Sequence, residues 1–173
     1  GRPPISKQGV SSGASDLYKR QNYYCKQIMK KLNKAIKIAA EIHTGSKGGK
    51  REPAIMHPIR VMIKMDDQLS RTGAILHDVV ETGKMTVNDL INLGFSDKIC
   101  HAVDLLSRRK REKYDHYIKR VKTKKLAIKV KIADLEDNYL ERKSKNKLSK
   151  LDKSKIKKYK RAYKNLTGKK LTL

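Results

Sequence analysis

The chain has 173 residues, with 43 Lys+Arg against 17 Asp+Glu, a formal net charge of +26. A length of this order lets about 70 % of the unfolded surface be buried, enough for one domain with a real core and little for a second. Apolar residues make up 38 % and charged residues 35 %, and the apolar residues recur at helical spacing, which argues against disorder. No run approaches the 18 or so apolar residues of a membrane span, and no secretory leader pattern opens the chain. Cys25 and Cys100 are isolated and fit neither a disulfide framework nor a C-x-x-C site. A soluble, cytoplasmic protein without membrane partners is expected.

The elements predicted in chain order are all helical. Residues 1–16 are rich in Gly, Pro and Ser and read as a flexible arm, leaving 17–173 as the folded domain. From Leu17 to His43 the apolar residues Leu32, Ala35, Ile36, Ala39 and Ile42 recur every three or four positions. A Gly/Lys loop follows at 44–51. Pro58 suits the first turn of a second helix, whose inner side carries Ile59, Met62 and Ile63. A third helix is expected over 71–82. Thr86-x-x-Asp89 and Ser96 look like N-caps of two short helices. Residues 111–121 and 124–140 read as two more. Ser149-x-x-Asp152 opens a last helix with the stripe Ile156, Tyr159, Tyr163 and Leu166. The fold expected is all-α, seven or eight helices in one compact bundle.

The charge is uneven. Residues 142–173 hold 14 Lys+Arg against the single acid Asp152, and residues 107–131 hold 12 against Glu112 and Asp115. Two such blocks on a near-neutral body suit a polyanionic partner, either a nucleic acid or a phosphate-rich small molecule. A solvated lysine-rich surface accounts for them equally well, and charge alone does not decide.

The candidate chemistry lies among His and Asp. His77-Asp78 is followed four residues later by Glu81, a spacing that shares one helix face. Asp134 interrupts the apolar run 130–135, where an unpaired carboxylate is costly. His57 heads the helix begun at Pro58. Two imidazoles and two carboxylates form a mixed N/O set suited to a divalent ion such as Mn²⁺, Fe²⁺ or Zn²⁺. Taken singly, each is more simply a hydrogen-bonded core His or an Asp paired with a Lys. His43, His101 and His116 read as a helix-end contact and two surface residues. Tyr114, Tyr117, Tyr159 and Tyr163, at helical spacing, read as the edge of the core.

The segments AAEIHTGSKGG, EPAIMHPIRV, AILHDVVETG, KVKIADLEDN and YKRAYKNL, spread from about Lys34 to Leu166, together resemble stand-alone HD-domain hydrolases of the Rel/SpoT type. That group includes the metazoan SpoT homologue and small alarmone hydrolases. The resemblance implies a helical HD domain that removes the 3′-pyrophosphate from (p)ppGpp, an alarmone of the stringent response, or from a closely related nucleotide. It implies His57, His77, Asp78 and Asp134 as metal ligands, with Mn the usual metal. Glu81 then matches the acid that positions or activates the attacking water. Lys131 and Asn138 match substrate contacts, as do Lys47, Lys50 and Arg51 in the loop, which is shorter and Gly-richer here.

Two positions depart from the family pattern. Its Glu-Asp pair reads Glu81-Thr82, so Thr82 offers a hydroxyl where relatives have a second acid, and Ala54 replaces an aromatic ring. These departures keep open a hydrolase of another phosphorylated nucleotide. A basic nucleic-acid-associated protein on an HD scaffold stands as the third reading.

Overall fold

The computed structural model describes residues 12–45 and 52–172, which form eight helices and no strand. They are α1 (Ser12–His43), α2 (Met56–Ile63), α3 (Gln68–Ile75), α4 (Val87–Asn92), α5 (Asp97–Leu106), α6 (Tyr114–Val121), α7 (Lys125–Lys143) and α8 (Lys150–Thr167). The all-α bundle expected from periodicity is what forms. The loop residues Lys47, Lys50 and Arg51 lie outside the described residues.

Helix α7 organises the bundle because it packs against α2, α3, α5, α6 and α8. Ala127, Val130, Ala133, Leu135 and Tyr139 are all buried along it, so its apolar residues run round the helix rather than down one stripe. Such a helix is stable only when surrounded. A second apolar cluster joins Leu32, Ala35, Ile38 and Ala39 of α1 to Ile75, Leu76, Val79, Leu90 and Val103, and Met62 of α2 touches both clusters. Ile36 and Ile42, expected on the inner stripe of α1, sit half-buried at its edge, while Ile38 is buried instead.

Several boundaries differ from expectation: α6 starts three residues late, at Tyr114, and α7 runs three residues further, to Lys143. Helix α1 begins at Ser12 rather than Leu17, and its first turns carry exposed Leu17 and Tyr18. Helix α3 covers Gln68–Ile75, starting three residues early and ending seven residues short of Thr82. At its start the Asp67 carboxylate accepts from the Ser70 N–H at 2.8 Å, an N-cap that also receives the Ser70 hydroxyl. Beyond Ile75 the chain runs in tight turns. The His77 N–H reaches the Ala74 carbonyl at 3.3 Å, and the Val79 N–H reaches that of Leu76 at 3.2 Å.

The remaining caps follow the expected chemistry in part. Thr86/Asp89 and Ser149/Asp152 each form a reciprocal capping box, whereas Ser96 occupies the N-cap of α5 without a side-chain bond. Gly168 ends α8 at φ 75°, a left-handed C-cap position that favours glycine. Lys31 and Lys34 of α1 donate to the Gly94 and Leu93 carbonyls at 2.6 and 2.9 Å, placing cations at the C-terminal end of α4.

The turn between α5 and α6 is held by one ion pair. Arg120 grips Glu112 through Nε and Nη2, both at 3.0 Å, while Nη1 and Nη2 also donate to the Asp104 and Ser107 carbonyls. These bonds hold the Glu112 carboxyl down at about 2. A carboxyl lowered on folding contributes stability above its unfolded pKa, and that stability is lost as pH falls through its folded pKa. Glu112→Gln is therefore expected to destabilise the protein at neutral pH. The difference from the parent should shrink between about pH 5 and pH 2, read by denaturant unfolding. A difference that stays constant across that range would contradict the assignment.

Candidate metal centre

Three separate segments converge on one buried carboxylate. His57 comes from the first turn of α2, His77 and Asp78 from the turns after α3, and Asp134 from the middle of α7. One ligand atom each of His57, His77 and Asp78 lie within 4.8 Å of one another. Asp134 Oδ1 stands 3.1 Å from His57 Nε2 and 3.7 Å from His77 Nε2. The two rings meet edge to face at 5.2 Å between centroids. His57, His77 and Asp78 are thus brought together as a group able to hold an ion, and Asp134 lies against its two imidazoles.

Each ring is oriented by a bond on its other nitrogen. His77 Nδ1 lies 2.7 Å from the Ala74 carbonyl, which can only accept, so Nδ1 carries the proton and Nε2 faces the cluster. His57 Nδ1 lies 2.8 Å from Asp137 Oδ2. Asp137 is in turn held by Arg60, whose Nε and Nη2 donate to its two oxygens at 2.7 and 3.0 Å. On the far side His43 Nε2 lies 3.1 Å from Asp78 Oδ1. Carbonyl or carboxylate partners on the outer nitrogen are what fix the tautomer of a metal-binding histidine.

The donor set fits a divalent cation. Two Nε2 atoms and two carboxylates supply borderline nitrogen and hard oxygen, a mixture that suits Mn²⁺, Fe²⁺ or Zn²⁺. The electrostatics agree. Burial opposes charge on both rings, yet the facing carboxylates prevail. Asp134 and Asp137 push the His57 imidazole up to about 10, and Asp78 and Asp134 raise His77. Burial likewise opposes ionised Asp134, but Lys131 and the two imidazoles hold it well below the usual carboxylate range. The cluster therefore demands positive charge, which protons on the rings or a cation can meet.

The other expected site residues fall into two groups. Lys131 Nζ lies 2.7 Å from Asp134 Oδ2, and Asn138 Nδ2 donates to Asp134 Oδ1 at 2.6 Å. Both reach the buried carboxylate, because the i−3 and i+4 spacing on α7 aims them at Asp134 itself. Glu81 and Thr82 lie away from a regular helix, which corrects the shared helix face expected for His77 and Glu81. The Glu81 side chain accepts the Arg108 N–H at 2.7 Å and lines an exposed cavity of about 340 Å³ with Arg108, Arg109 and Arg111. The Thr82 hydroxyl donates to the Val79 carbonyl at 2.7 Å and accepts from the Lys84 N–H at 3.2 Å, so it closes its own turn.

Asp137 and Arg60 were not singled out by their sequence pattern. Asp137 follows Asp134 by three residues on the same helix, and a second acid at that spacing within a buried stretch was the available signal. His43 is a helix-end contact, as its sequence position suggests. It is the last residue of α1, and it is also the partner of Asp78. His101 and His116 are exposed. Tyr117 and Tyr159 are buried and Tyr114 and Tyr163 half-buried, as expected for the core edge.

The Asp137 contact can be tested on the ring it orients. In chelator-treated protein the His57 imidazole should titrate near 10, read from its ring nitrogens by NMR. Asp137→Asn removes one of the three carboxylates that raise it and should bring that value down. A value unchanged by Asp137→Asn would contradict the contact.

No family model matches the chain. It is 28 % identical over 109 residues to two curated Arabidopsis thaliana proteins, each described as "Putative GTP diphosphokinase RSH1, chloroplastic". The match covers 57 % of this chain and 12 % of each relative. The chain therefore spans about an eighth of the length of the curated relatives it matches, and its similarity is a distant one to a Rel/SpoT homologue.

Proposed function

We propose that the chain is a metal-dependent phosphohydrolase of the HD type that removes the 3′-pyrophosphate from (p)ppGpp or a closely related nucleotide. The observation that carries this reading is the pair of imidazole Nε2 atoms facing Asp134, each ring tied back through Nδ1. The distant similarity to a Rel/SpoT homologue supports nucleotide pyrophosphate chemistry.

In this reading His57, His77, Asp78 and Asp134 hold the divalent ion, with Mn²⁺ the first candidate. Such an ion, when bound, lowers the pKa of a coordinated water and offsets charge on a phosphoryl oxygen. The chain's own residues do the rest. Asp137, braced by Arg60, and the Ala74 carbonyl keep both rings in the ligating tautomer. Lys131 and Asn138 fix the orientation of Asp134 and balance its charge. Glu81, exposed among Arg108, Arg109 and Arg111, is assigned in this reading as the carboxylate that orients a water or takes its proton. The arginines beside it supply positive charge for an anionic substrate.

Thr82 cannot act as a base, and its hydroxyl is engaged in the turn. This reading leaves Glu81 as the one carboxylate of the Glu81-Thr82 pair, so other phosphorylated nucleotides are tested beside the alarmone. Chelator-treated protein supplied with Mn²⁺ is expected to release pyrophosphate from ppGpp, with the products separated by ion-exchange chromatography. His77→Ala or Asp134→Ala should lower turnover by about a hundredfold or more. Turnover retained in either variant, or unaffected by chelator, would overturn the site. Turnover of only another phosphorylated nucleotide would keep the centre and replace the substrate.

A further inference from the structure

Helix α8 and the segment after it carry nine Lys or Arg between Lys153 and Lys170 and no acid. The one acid of this region, Asp152, is buried and taken up by Arg142 and Lys145 at 2.7 and 2.6 Å. The segment returning past Gly168 is anchored by buried Leu171. Between it and α8 lies a concave groove of about 700 Å³, whose charged lining includes Lys157, Lys160, Arg161, Lys164 and Lys170. Among the described residues, only Arg161 of these five contacts a carboxylate, exposed Asp115 at 2.8 Å. An ion pair exposed on both sides is worth little. The local field is correspondingly positive. Burial and the surrounding cations lower the ammonium pKa of Lys158 on the same helix.

We infer that this groove binds the phosphate backbone of duplex nucleic acid without reading its sequence. Lys153, Lys157, Arg161 and Lys164 climb about 16 Å of helix axis, the span of about five phosphates on one strand of a duplex. A lipid surface fits less well. The apolar stripe Ile156, Tyr159, Tyr163 and Leu166 packs inward, so no apolar face is left to enter a bilayer. Single strands fit less well too, because they are gripped by stacking on exposed rings. Tyr159 is buried and Tyr163 half-buried. The inference is independent of the metal centre.

The test uses the full chain and a fluorescein-labelled, random-sequence DNA duplex of about 20 base pairs, titrated by anisotropy at several NaCl concentrations. Six cations, the five above with Lys153, predict a slope of log K against log salt of about −5. Lys157→Gln with Lys164→Gln and Lys170→Gln should reduce that slope by about 3 units and weaken binding at least tenfold at low salt. A control set with the same net charge, Lys19→Gln with Lys26→Gln and Lys30→Gln on α1, should change affinity less than about twofold. Circular dichroism melts of both sets check that the fold is kept.

Equal losses in the two sets would overturn the inference in favour of plain net charge. So would absence of binding at about 50 mM salt. Tighter binding to phosphatidylserine vesicles, or to the corresponding single strand, would reject the duplex as the partner.

Discussion

A buried carboxylate in the middle of the central helix is the constraint on which the rest of the site depends. Asp134 is 5 % exposed on α7, the helix surrounded by five others. Burying an ion of that kind costs several kcal/mol unless it is paired and hydrogen-bonded. The chain meets that cost from four directions, through Lys131, Asn138, His57 and His77. Removing any one of them leaves the buried charge less fully compensated. A core chosen only for stability would place an apolar residue there, so the retained carboxylate is itself an argument for function.

The same logic extends one layer outward. His57 is aimed by Asp137, Asp137 by Arg60, and Arg60 reaches Glu52 at 2.8 Å. On the other flank His43 ties the end of α1 to Asp78. The cluster thus draws on α1, α2, the turns after α3, and α7, and its geometry is as rigid as the packing between them. Charges inside the bundle are partnered throughout this network. Those on α8 are largely left facing water, and that contrast separates a preorganised centre from a surface built to meet a polyanion.

Much of this was legible in the sequence, for identifiable reasons. Apolar period and cap chemistry are local, so the helices α6, α7 and α8 and both capping boxes could be read directly. Asp134 could be singled out because a lone acid within an apolar run violates the burial rule. The end of α3 could not be read. Leu76, Val79 and Val80 are apolar enough to continue a helix, yet beyond Ile75 the chain runs in successive tight turns that carry His77 and Asp78. That misplaced Glu81 relative to His77. Lys131 and Asn138 were found at the right spacing, but spacing cannot say whether a side chain reaches toward a ligand or back to its own helix. Asp137 and Arg60 lie 77 residues apart in sequence, and a contact that distant leaves no mark in local pattern.

The account turns on whether His57, His77, Asp78 and Asp134 form one cation site. The most direct measurement is a titration of chelator-treated protein with Mn²⁺, followed by calorimetry and by electron paramagnetic resonance of the bound ion. Parallel titrations use His57→Ala and Asp134→Asn. The account predicts saturable binding of a single cation per chain, with a nitrogen coupling from imidazole, and loss of that binding in both variants. Absence of saturable binding, or binding that survives both substitutions, would contradict it.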